Sequence, residues 1–133
     1  MQHIPLPVLD PMPGGNAATL AGPVQLDVRF DASTLLLGLV FAGSDEVLCT
    51  SFPSVIGFRR LEGATLAGFR QAAGNRPGWL WRVGAGGWCS EPGMRDGLLE
   101  GALSALHEYL VLGTEEAVNV LCCGTPQVFP ARP

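Results

Sequence analysis

The sequence predicts a single α+β domain, in which an antiparallel sheet of five to seven strands carries two helices packed on one face. Three observations lead there. The chain has 133 residues, 47% hydrophobic and 15% charged, enough for one core and too apolar for disorder. Its 18 glycines and 11 prolines exceed what a plain helical bundle tolerates. Apolar segments with period-two alternation recur along the chain, and two further segments have helical spacing.

Residues 1–23 contain five prolines and the pair Gly14-Gly15. They read as an extended N-terminal arm ahead of a folded core spanning residues 24–128. Val24 to Phe30 alternates, with Val24, Leu26, Val28 and Phe30 against Gln25, Asp27 and Arg29, as a half-buried strand does. Leu35 to Phe41 is nearly all apolar and reads as a central strand. Val47 to Phe52 makes a third. The short turns between them imply an antiparallel meander. Phe58 to Leu61 fits a short strand.

Ala64 to Ala73 places Leu66, Phe69 and Ala73 at helical spacing, with Gly74 as the stop. Trp79 to Val83 alternates again. The glycines from Gly84 to Gly87 supply a hairpin loop, and Trp88 starts the return strand. Ser90 and Pro92 open a second helix centred near Ala102, whose apolar face is Leu98, Leu99, Leu103 and Leu106. Tyr109 to Leu112 and Val118 to Cys123 form a hairpin, and Pro126 and Pro130 end regular structure.

Composition excludes several functions. The chain has no lysine, and its net charge is −4, which argues against nucleic-acid binding. Its longest apolar run, Leu35 to Gly43, is too short to span a bilayer, and prolines interrupt the only stretch where a secretion signal would sit. A cytoplasmic address follows as the default. Cys49, Cys89, Cys122 and Cys123 lack both metal-ligand and disulfide-framework spacing, so no metal and no cofactor is expected. Without lysine there is no phosphate-binding loop of the usual kind. His107 with Glu108 or Glu100 is the one acid–base group worth naming, and no catalytic residue is assigned.

Two features remain. Trp79, Trp81 and Trp88 fall within ten residues, with Trp79 and Trp81 on one strand face. They make either a core cluster or a surface anchor. Charge is also laid out in blocks, acidic to residue 56, basic from Arg59 to Arg82, and acidic again from Glu91 onward. Either the basic middle block pairs with the acidic flanks, or Glu100, Glu115 and Glu116 form an acidic face that steers a basic partner.

The positions Phe58-Arg59, Trp79, Gly87-Trp88 with Glu91, Glu108-Tyr109-Leu110-Val111 and Val118-Asn119-Val120-Leu121 resemble a pattern in small bacterial α+β immunity proteins of polymorphic toxin systems. The resemblance covers roughly residues 24–128 and carries no catalytic signature. It implies a non-enzymatic inhibitor that occludes a cognate toxin domain. It transfers no binding residue. The expected function is therefore protein binding through Glu100, Glu115, Glu116, Trp79, Trp81 and Trp88. A small enzyme or ligand-binding protein with a pocket around the tryptophans and Arg82 is one alternative. A homodimeric structural protein is the other.

Overall fold

The computed structural model describes residues 6–12, 22–43, 47–91 and 106–130. In chain order the elements are β1 (Leu9–Pro11), β2 (Gln25–Asp31), β3 (Thr34–Val40), β4 (Val47–Phe52), β5 (Val55–Arg60), α1 (Gly63–Ala73), β6 (Leu80–Val83), β7 (His107–Leu112), β8 (Ala117–Cys122) and β9 (Gln127–Pro130). A 3-10 turn, Trp88–Ser90, follows β6. The strands form two antiparallel sheets, one in the order β1-β6-β7-β8-β5 and the other β2-β3-β4-β9.

The inner faces of the two sheets enclose the main core. The four-stranded sheet contributes Leu26, Leu35, Leu37, Leu39, Phe41 and Phe52, and the five-stranded sheet contributes Tyr109, Val111, Val118, Val120 and Cys122. A second core lies on the other side of the five-stranded sheet. There Phe69 and Ala73 of α1 pack with Leu9, Trp81, Leu110 and Ala117. The layers therefore run helix, sheet, sheet. This order explains why β7 and β8 are buried almost throughout, while β3 is buried only at alternate positions.

The expected architecture of one sheet under two helices is thus corrected. Among the described residues there are nine strands in two sheets and one helix. The apolar run in β3 misleads, because Leu36, Gly38 and Val40 lie on an outer face that carries no second layer among the described residues. The helix near Leu66 is present as α1, ending at Gly74 with φ 59°, a backbone value that suits glycine. The one expected near Ala102 falls outside the described residues.

Three smaller corrections follow. The segment ahead of residue 24 is not a free arm throughout. Leu9–Pro11 pairs with β6, Leu9 is 3% exposed, and its carbonyl accepts a bond from Arg76. Trp88 does not begin a return strand; it sits in the 3-10 turn, and β6 instead pairs with β1 and β7. Pro126 and Pro130 do not end regular structure, since β9 adds to β4 between them.

Candidate functional site

Two polar residues interrupt the most buried strands. Glu108 in β7 is 4% exposed and Asn119 in β8 is fully buried. Buried polar groups need partners, and both have them. The Trp88 N–H donates to Glu108 Oε2 at 2.8 Å and the Cys89 N–H to Oε1 at 3.1 Å. Asn119 Nδ2 donates to Glu108 Oε2 at 2.9 Å and to the Tyr109 carbonyl at 3.0 Å. Its Oδ1 accepts from Arg59 Nε at 3.1 Å. Arg59 then grips the Glu91 carboxylate with both terminal nitrogens, at 3.1 and 2.7 Å. Its guanidinium also stacks 4.5 Å from the Trp88 ring centre.

This chain of bonds ties the loop after β6 to the sheet. Gly87 permits it, because a Cβ there would lie 2.4 Å from Val83 Cγ1 and 2.5 Å from Glu108 Oε2. The network does not activate a nucleophile. Burial first, then the charge and hydrogen bond of Glu108, push the Cys89 thiol up to about 11. It is protonated at neutral pH, and the thiolate is the reactive form.

Of the two histidine–acid pairs named from sequence, His107 with Glu108 is not formed, and the one with Glu100 falls outside the described residues. His107 and Glu108 are adjacent on a strand and face opposite ways. His107 Nδ1 instead lies 2.8 Å from Arg82 Nη2, beside Tyr109. The Tyr109 hydroxyl donates to the Gly124 carbonyl, and burial, with Cys122 next, raises its pKa.

The tryptophans do not form one cluster. Trp79 lies in the inter-sheet core against Phe41, Trp81 lies in the helix-side core under Arg76, and both are fully buried. Only Trp88 is partly exposed. Arg82 alternates with Trp81 on β6 and is exposed, so these residues do not converge on a Trp/Arg pocket. Of the acids, Glu115 is exposed on the β7–β8 turn. Glu116 pairs with Arg60 and reaches the Leu26 N–H at 3.4 Å. Glu100 lies outside the described residues.

One surface that no element covers among the described residues was not singled out from sequence. It is the outer face of the four-stranded sheet. Cross-strand pairing lines up Asp27, Gly38, Cys49 and Phe129 in one row and Arg29, Leu36, Ser51 and Gln127 in the next. Gly38 leaves a notch there. With Leu36, Val40 and Val47 it lines a shallow groove of about 270 Å³ whose rim carries Asp27 and Arg29. The signal available in sequence was the glycine inside an apolar strand, which marks close approach by another group. No helix among the described residues is long and apolar enough to cross a membrane. Comparison with protein-family models, curated proteins and solved structures finds no match to this chain.

Proposed function

We propose that the chain is a protein-binding module that acts by stoichiometric occlusion rather than catalysis, the immunity-type inhibitor that its family resemblance implies. The observation that carries this is the outer face of the four-stranded sheet, which no element covers among the described residues. A protein sheet normally buries one face and presents the other polar. Here the second face mixes Leu36, Val40, Val47 and Phe129 with Asp27 and Arg29 around the Gly38 notch. Apolar patches rimmed by charge mark interaction sites. The partner inserts an apolar side chain at Gly38, and the charged rim sets its register. A chain of net charge −4 favours encounter with a basic domain.

The test places a photo-crosslinking amino acid at Leu36, with a control at Thr65 on α1, in the native host. Mass spectrometry identifies the adduct, and the complex is reconstituted from purified proteins. The expected result is a one-to-one complex that G38R abolishes without loss of fold. G38R suits the purpose because a Cβ at Gly38 makes only ordinary contacts, the nearest at 3.5 Å. Equal adducts from both positions, or a complex indifferent to G38R, would remove the outer face from the proposal.

A further inference from the structure

Four strand edges flank the two sheets, and three are blunted. β1 has three residues and ends in Pro11, β9 ends in Pro130, and β5 carries an irregularity between Val55 and Gly57. Short strands, prolines and bulges all discourage pairing with another chain. β2 is different. It has seven residues, Gln25 to Asp31, no proline, and an unbroken register with β3. Its outer edge is free of any strand among the described residues.

The backbone of that edge is correctly turned for pairing. The Leu26 N–H points away from β3, toward Glu116 at 3.4 Å, which is too long for a strong bond. In an antiparallel ladder the bonded residues alternate, so Leu26, Val28 and Phe30 all present their edge groups outward.

We propose that β2 pairs with the β2 of a second copy of this chain, antiparallel about a two-fold axis at Val28. This register brings Leu26 opposite the second copy's Phe30 and Val28 opposite its own counterpart, so every outward edge group finds a partner. It also sets Asp27 opposite the second copy's Arg29, and Arg29 opposite the second copy's Asp27. The strand is self-complementary in charge only in this full-length overlap. Moving the axis to Asp27 or to Arg29 opposes each of those residues with itself, a like-charge contact that disfavours pairing. Within one chain the two already lie side by side, Arg29 Nε to Asp27 Oδ2 at 3.8 Å, and both are exposed.

The surroundings fit the same partner. Phe30 is 51% exposed and stacks on Phe58, itself 36% exposed, with ring centres 5.3 Å apart. In the dimer the second copy's β2 backbone at Leu26 lies opposite Phe30, beside this pair. Glu116 gives up its long contact to Leu26 and keeps Arg60. The two four-stranded sheets become one continuous eight-stranded sheet, and the two Gly38 grooves lie on the same surface.

The test is sedimentation equilibrium of the full chain across a concentration series, with four variants. Wild type is expected at twice the 14.0 kDa chain mass at the upper concentrations. R29D and D27R each create like-charge pairs and are expected to weaken the dimer roughly tenfold or more. The double exchange D27R/R29D restores the opposite pairing and is expected to return the dissociation constant to within about threefold of wild type. V28P removes an outward N–H that β3 does not use and is expected to give a folded monomer. Wild type that stays monomeric throughout overturns the proposal, as does a dimer that survives V28P or is not rescued by the double exchange. Binding of a different protein at the Gly38 groove is read separately by the Leu36 crosslink, so either result stands without the other.

Discussion

Glu108 holds the loop after β6 through three N–H donors, from Trp88, Cys89 and Asn119. E108Q leaves one carbonyl oxygen to accept from Trp88 and Asn119 and sets an amide nitrogen, which cannot accept, against the Cys89 N–H. Hydrogen bonds to charged groups contribute about 1.5–3 kcal/mol, so E108Q is expected to lower stability by about 2 kcal/mol in urea unfolding. G87A is expected to destabilise as well, since its Cβ would overlap both Val83 and Glu108, whereas G38A should be tolerated. A tolerated G87A would show that the loop does not depend on close approach to Glu108. The thiols provide the pH dependence. Burial raises Cys89 and Cys122 from 9.0 to about 11. The unfolded chain ionises first as pH rises, so these groups leave stability unchanged below pH 9.0 and reduce it between 9.0 and about 11. Denaturant midpoints across that window check the sign. At neutral pH both thiols should react slowly with iodoacetamide, Cys122 the slower because it is also buried.

Elements were legible in sequence where local chemistry decides them. Alternation in β2, the turn at Ala32-Ser33, the helical spacing of α1 with Gly74 behind it, and the β7–β8 hairpin all follow from residues close together in the chain. β1 was not legible, because three residues between prolines show no period and their partner β6 lies about seventy residues away. Its place in the second core makes a direct prediction. L9A removes a buried side chain beside Trp81 and Val83, and such truncations cost about 2–5 kcal/mol. Thermal unfolding of L9A beside V8A, where Val8 is exposed, separates the cases. Equal midpoints would mean that β1 is docked too loosely to matter. Glu116 and Glu115 make a similar pair. E115R should change stability by less than about 0.5 kcal/mol, while E116R breaks the bond to Arg60 and places two cations together.

At the scale of the molecule, the division into two sheets was hidden for a physical reason. A strand's sequence records which of its faces is wet, not which strand lies beside it. β5 follows β4 after a two-residue corner at Pro53-Ser54, yet pairs with β8, and β9 crosses back to β4. Only the near-continuous burial of β7 and β8 betrays a sheet covered on both sides, and there Glu108 and Asn119 broke the apolar pattern that would have revealed it. The same polar residues are where the buried network lies. Arg59, Trp88, Glu91, Glu108 and Asn119 all fall within the resemblance pattern, but nothing in the sequence shows them in contact, because their meeting depends on register between β5, β7 and β8. The layering predicts a hierarchy of opening. β7 and β8 are central in the five-stranded sheet, with one core on each side, so their amides exchange only when both cores open. β1 and β9 are short edges; β1 packs on the helix-side core and β9 gives the inter-sheet core only the partly buried Val128, so both can detach before that core opens. Hydrogen exchange of the intact chain should therefore find the slowest amides in His107–Leu112 and Ala117–Cys122, and far faster exchange in Leu9–Pro11 and Gln127–Pro130. E108Q should speed the slow class as a whole rather than one strand, because the carboxylate fastens a loop across the sheet. Equal protection in edge and central strands would mean that the two cores open as one unit, and that the layered order does not govern how the protein comes apart.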